Sequence, residues 1–262
     1  MDLGMPFLLE NRSVEEAAAL GASLGLDFVE LNMSFPLCQQ ERMPAERLLA
    51  MRERYGVYFT FHLDEEMAPC TFSAPVRLAW QQVAQGAIAL ARQVGAPSVN
   101  LHWPRGVFVT LPEKRDFLFN RYREEYRENT LRFRDLCEEA SQGAVNVCVE
   151  NTGGWLPFQQ ETIDLLLDSP VFGLTLDVGH NRCANFVDEP YYARHADRLR
   201  HMHLHDATAT QDHMPLGTGE LDIAALLSRA GHAGARVVLE IKTVAALHHS
   251  VAYLKEKGLF HD

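Results

Sequence analysis

Four residues spaced tens of positions apart share one setting. Glu150 closes the run V-N-V-C-V-E, Asp177 closes F-G-L-T-L-D, His203 lies in H-M-H-L-H-D, and Glu240 closes V-V-L-E. Apolar runs of this length carry strands into a core, where an ionised carboxylate without a partner suffers a large desolvation penalty. Three carboxylates meeting in one place would repel unless a cation neutralised them. With one imidazole they form a donor set suited to Mn²⁺, Mg²⁺, Co²⁺ or Zn²⁺ rather than to an all-thiolate structural site. A salt-bridged strand end accounts equally well for any one of them, but poorly for all four.

Parity sharpens the point, because side chains two apart on a strand share a face. Counting back pairs Glu150 with Cys148 and Asn146, Asp177 with Thr175 and Gly173, and His203 with His201; the residues between, such as Val149, Leu176 and Leu204, are apolar. If the strands surround an axis, the acids and imidazoles face it and the intervening residues face outward.

An outer tier follows. His62 ends Y-F-T-F-H, His102 ends S-V-N-L-H, His180 stands three residues after Asp177, and His213 sits in a later loop. These are candidates for a second metal or for substrate contacts, with a hydrogen-bonded structural histidine as the alternative for each. Glu30, at the end of the second strand, fits a carboxylate that orients a histidine or substrate. Lys242 shares the face of Glu240 and could contact a substrate oxygen. Arg105, in an irregular loop, is expected to be surface charge, with capture of an anion as the alternative.

The elements that must position these residues alternate regularly. Strands are expected at 5–10, 27–33, 57–63, 98–103, 145–151, 172–178, 199–205 and 235–242. Ser13 with Glu16 three residues on reads as a capping box opening the first helix, Pro44 opens a helix that Gly56 ends, and Gly95 stops a long alanine-rich helix from about residue 76. Residues 104–112 read as irregular, and 114–141 as a charged helix with a solvated outer face. Further helices are expected at about 159–168, 190–197, 221–230 and up to 257. Eight strand–helix units imply parallel strands with right-handed crossovers and suit a closed (β/α)8 barrel, an α/β fold. A doubly wound sheet would carry a G-x-G-x-x-G turn after an early strand, which is absent. No linker or composition shift divides residues 1–262, so one domain is expected.

Bulk properties agree. A chain of 262 residues that is 47% hydrophobic can bury a substantial core. A formal charge of −11 argues against nonspecific nucleic-acid binding. Five scattered cysteines without C-x-x-C spacing read as reduced thiols. With no secretory signal or membrane span recognisable, a soluble cytoplasmic protein is expected, and a homo-oligomer is compatible with the sequence.

The motifs V-E-N-T-G-G at 149–154, L-D-V-G-H at 176–180, H-L-H-D at 203–206, H-M-P-L-G-T-G at 213–219 with Asp222, and L-E-I-K at 239–242, together with His62 and His102, resemble the xylose isomerase-like TIM barrel superfamily. That superfamily includes sugar isomerases and epimerases, inosose dehydratases and endonuclease IV. The resemblance implies one catalytic divalent cation held by Glu150, Asp177, His203 and Glu240. The endonuclease pattern would add His62, His102, His180, an aspartate and His213. Here Gln211 stands two before His213, and an extended loop would direct the adjacent Asp212 elsewhere, leaving a third metal position incomplete. The implied activity is isomerisation or epimerisation of a small sugar or sugar-like polyol. Glu150 and Glu240 would move the proton through a metal-stabilised enediolate, His180 would polarise a substrate oxygen, and Trp103 and Phe35 would cover the sugar's apolar face. The alternatives are a zinc phosphoester hydrolase and an inosose-dehydratase-like lyase.

Overall fold

Runs of alternating apolar residues become regular strands in the computed structural model, which describes residues 1–260. The strands are β1 (Leu3–Pro6), β2 (Phe28–Asn32), β3 (Tyr58–His62), β4 (Ser98–His102), β5 (Phe108–Thr110), β6 (Arg115–Phe117), β7 (Asn146–Glu150), β8 (Phe172–Asp177), β9 (Leu199–Leu204) and β10 (Arg236–Leu239). The helices are α1 (Val14–Leu24), α2 (Ala45–Tyr55), α3 (Ala74–Val94), α4 (Leu118–Arg121), α5 (Arg123–Ser141), α6 (Pro157–Leu167), α7 (Val178–Cys183), α8 (Glu189–Arg194), α9 (Ile223–Ala233) and α10 (Val244–Glu256). The order β1-β10-β9-β8-β7-β4-β3-β2 closes on itself, since β1 pairs with both β10 and β2. All neighbours in the ring are parallel. This is the eight-stranded α/β barrel expected from the alternation.

Helix ends fall where the local chemistry places them. Gly56 (φ 72°) and Gly95 (φ 67°) adopt the left-handed conformation that stops α2 and α3. The Ser13 hydroxyl accepts from the Glu16 N–H, but the Glu16 carboxylate accepts from Arg12 N–H rather than from Ser13, so the expected box is shifted by one residue. Helix α5 buries Tyr126, Phe133 and Cys137 on its inner face and exposes its glutamates.

Three expectations need correction. The first strand is Leu3–Pro6, not 5–10. Gly4 weakens the local strand signal, yet the barrel needs it, because a Cβ there would lie 2.5 Å from the Phe28 ring. Residues 104–112 are not merely irregular, and the helix expected from 114 starts late: β5 and β6 form an antiparallel hairpin pairing Val109 with Asp116, and the long helix α5 begins only at Arg123. A short helix, α7, follows directly on Asp177, whose side chain caps it.

Of the aromatic residues expected to cover a sugar, Trp103 is packed into the core at the edge of the cleft and Phe35 is half-buried against it. Trp103 is 1% exposed, stacks on Phe133 at 6.2 Å, and donates its indole N–H to Thr162 Oγ1 at 3.0 Å. Phe35 packs edge-on against Phe7 at 5.3 Å. All five cysteines are free, and only Cys183 is exposed. No described helix is long and apolar enough to cross a membrane.

Candidate active site and metal centre

The parity argument holds in three dimensions. Along the barrel axis, Thr175 Oγ1 donates to Asn100 Oδ1 (2.6 Å), Asn100 Nδ2 donates to Glu150, and Thr60 Oγ1 donates to Glu30 Oε2 (3.2 Å). Above this polar layer, at the C-terminal ends of the strands, the acids and imidazoles converge.

His203 Nδ1 is the point on which they close. It lies 3.3 Å from Glu150 Oε2, 3.4 Å from Glu240 Oε2 and 4.0 Å from Asp177 Oδ2. Its other nitrogen, Nε2, lies 2.8 Å from Glu30 Oε1, and Glu30 Oε2 accepts from His201 Nε2 at 3.0 Å. Burial opposes ionisation of Glu30, but the two imidazoles prevail and hold its carboxyl well below the usual range. An ionised Glu30 holds the Nε2 proton of His203, so Nδ1 is the nitrogen that faces the acids and could ligate an ion in place of a proton.

His203 Nδ1 has no hydrogen-bond partner, and neither does buried Glu240 Oε2 beside it. Two orphaned polar atoms facing each other beside two further carboxylates are what a divalent cation would satisfy. The donor set therefore fits the group that the sequence implies. Burial alone would suppress charge on His203, but Glu150, Glu30 and Glu240 together push its pKa well above the ordinary imidazole value. Burial likewise works against ionised Glu150 and Glu240, and His203 leads the groups that hold both well below the carboxylate range.

Glu30 therefore lies beneath the ligand ring, holding His203, and is not among the residues lining the cleft above. Glu30→Gln is expected to weaken divalent-cation binding about 10–100-fold with the fold retained. Titration calorimetry of the two proteins checks this; equal affinities would remove Glu30 from the role.

The outer tier also converges. His62 Nε2 is 3.3 Å and His102 Nε2 is 3.5 Å from Glu150, whose carboxylate they share. Burial disfavours a charged His62, but its bond to Glu150 wins and raises its pKa to about 9. His180 Nδ1 lies 3.4 Å from Asp177 Oδ2, and His213 Nδ1 lies 3.7 Å from Glu240 Oε2. Lys242 Nζ donates to Glu240 Oε1 at 2.8 Å, holding that carboxylate rather than standing free. Arg105 donates to the carbonyls of Gly153 and Gly154, which fixes the loop after β7.

Asp212 departs from expectation. The loop is not extended: Asp206 and Met214 form an isolated bridge, and His213 has φ 51°. Asp212 Oδ2 therefore reaches to 3.9 Å from His180 Nε2, and Asp212, His180 and His213 could share one ion.

His205 escaped the sequence reading, although the parity that joins 201 and 203 extends to it. It is fully buried, and its Nδ1 accepts the His213 N–H at 2.7 Å. That directs the Nε2 proton at both oxygens of Asp177, each at 3.2 Å. Gly179 in α7 makes room for the ring, since a Cβ there would lie 1.9 Å from His205 Cε1. Gly179→Ala is expected to lower the melting temperature by about 5 °C or more through overpacking, and to displace Asp177. Thermal unfolding monitored by circular dichroism checks it.

The mouth of the site is a cleft of about 340 Å³ lined by His62, Glu65, His102, Thr152, His180, His213, Glu240 and Lys242, with Trp103 and Pro104. A larger depression of about 740 Å³ lies at the opposite end, between Asp2, Arg236 and Leu259, and holds none of the candidate ligands.

A closed parallel barrel that gathers buried acids and imidazoles at the C-terminal ends of its strands defines the class: a TIM barrel with the makings of a metal centre. The chain belongs to the xylose isomerase-like TIM barrel family, which matches residues 18–257. Solved structures agree in fold. A D-tagatose 3-epimerase-like protein superposes with a TM-score of 0.78 at 20% identity, covering 99% of this chain and 98% of its own. The 3-keto-D-glucoside 4-epimerase of E. coli gives 0.76 at 17%, covering 98% and 99%. An L-ribulose 3-epimerase gives 0.73 at 15%, covering 98% and 94%. No curated protein matches in sequence.

Proposed function

We propose that the chain is an enzyme that isomerises or epimerises a small sugar or sugar-like carbonyl compound, using one divalent cation held by Glu150, Asp177, His203 and Glu240. The observation that carries this reading is the convergence of two glutamates, Glu150 and Glu240, on His203 Nδ1 at 3.3 and 3.4 Å, with Glu240 lining a cleft of about 340 Å³. The cation, when bound, supplies positive charge beside neighbouring carbonyl and hydroxyl oxygens, which acidifies the C–H between them.

The protein's own groups do the rest. Glu150 is ionised and oriented by Asn100, His62 and His102, so it can accept a proton without rearranging. Glu240 comes from a different arc of the ring and is held by Lys242, which suits delivery of a proton to the other side of the substrate carbon. His180, lining the cleft, is placed to donate to a substrate oxygen. The names of the three neighbouring structures above, sugar 3- or 4-epimerases or epimerase-like, support the same chemistry.

The test is incorporation of solvent deuterium into a panel of ketoses by protein purified without chelator. Exchange at a carbon next to the carbonyl is expected with at least one of them; none with any ketose would reject the proposal.

One observation favours a second reading. His62 and His102 flank Glu150, and His180, Asp212 and His213 form another group, so ligands for further zinc ions are close by. That arrangement suits a phosphoester hydrolase. Two or three zinc ions per chain together with phosphodiester cleavage would select it, whereas a single Mn²⁺ or Mg²⁺ with ketose exchange selects the isomerase.

A further inference from the structure

The groups that would receive an anion at the upper rim of the barrel are bonded to the protein's own side chains. A barrel of this kind holds a phosphate with the loops after its last two strands and with a helix N-terminus beside them. Here those strands are β9 and β10. The loop after β9 turns the N–H groups of Ala207, Gly217 and Leu221 onto the buried carboxylate of Asp206, at 2.9, 3.0 and 3.1 Å. Gly219 closes over it, since a Cβ there would lie 2.3 Å from Asp206 Oδ1. At the start of α9, Asp222 accepts the Ala225 N–H at 3.0 Å. At the start of α10, Glu10 accepts from the Val244 N–H and Thr243 Oγ1 from the Ala246 N–H.

Charge at the cleft points the same way. Among the described residues, Lys242 is the only lysine or arginine in its lining, and its ammonium is paired with Glu240 at 2.8 Å. Arg105 is directed onto the carbonyls of Gly153 and Gly154. Glu65 adds a carboxylate to the rim. It is held in place: Asn32 Nδ2, at the end of β2, donates to Glu65 Oε1 at 2.8 Å, and the Glu65 N–H donates to Ser34 Oγ at 3.1 Å. Among the described residues no other group bonds to that carboxylate, so Oε2 is open to accept. An ionised carboxylate only accepts hydrogen bonds, so it suits a hydroxyl and repels a phosphate.

We propose that Glu65 sets the substrate specificity of this site, accepting a hydroxyl of an uncharged sugar and excluding the phosphate ester of the same sugar. Glu65 takes this role only if the cleft holds a sugar, as proposed above. Binding and exchange measured side by side keep the two readings apart.

The experiment is titration calorimetry of protein purified without chelator. The ligands are ketopentoses and ketohexoses and the terminal phosphate ester of each, with deuterium exchange followed on the same compounds. At least one free ketose is expected to bind about 30-fold or more tightly than its phosphate. Glu65→Gln keeps the bond from Asn32 and, at an exposed position, leaves the fold intact. It should weaken the free ketose about 10-fold and narrow the gap to the phosphate, raising KM in exchange with kcat unchanged. A phosphate ester that binds as well as its parent overturns the proposal. So does a Glu65→Gln protein with unaltered affinities, or a failure of every free ketose to bind. The expected binding preference without any exchange would reject the isomerase reading and leave Glu65 in its role. Exchange confined to phosphate esters would do the reverse.

Discussion

Glu240→Gln is expected to abolish exchange of substrate hydrogen with solvent, lowering kcat by about 10³-fold or more while the barrel stays folded. The amide keeps the size of the side chain and can still accept from Lys242, whose ammonium now meets Glu240 Oε1 at 2.8 Å. What it loses is the proton-accepting oxygen, Oε2, that stands unpaired 3.4 Å from His203. General acid–base groups contribute about 10²–10⁴-fold by themselves, and this one is also a proposed cation ligand, so both losses fall on one substitution. Deuterium exchange into a ketose, read alongside far-ultraviolet circular dichroism, measures the effect. A variant with near-wild-type exchange would show that Glu240 moves no proton.

Removing the cation should be equally visible in stability. A ligand bound only to the folded state at 100 times its dissociation constant stabilises by about 2.7 kcal/mol. For a domain of this size that corresponds to about 5–10 °C in melting temperature. Dialysis against a chelator should therefore lower the midpoint by about that much and eliminate activity, and re-addition of the correct divalent ion should restore both. His203→Ala should show the lower midpoint with or without chelator. A melting temperature that chelation leaves unchanged would mean that the four side chains hold no cation worth the name.

Much of this site was legible in the sequence because strand parity is a strict period of two. Glu150, Asp177, His203 and His102 could be assigned to the axis from their neighbours alone, and Glu30 reached His203 as its position at the end of the second strand suggested. What the sequence hid depends on tertiary surroundings. Trp103 looks like a sugar platform until its ring is seen between Phe133, Tyr126 and Thr162. Gly4 looks like a strand breaker until Phe28 fills its place. Asp212 could not be directed without knowing that His213 turns the loop through a left-handed conformation. His205 was the avoidable omission, since the rule that found His203 points to it as well.

The four proposed ligands, His203 among them, come from the seventh, eighth, ninth and tenth strands or their ends, and the ring is sealed only when β10 slots between β9 and β1. Glu240, the final member of the quartet, follows the last strand to be synthesised. A nascent chain still missing that strand can offer an ion no more than an incomplete cage. If the proposed cation binds there, its capture is a late checkpoint in biogenesis, and its retention reports that the sheet has joined end to end.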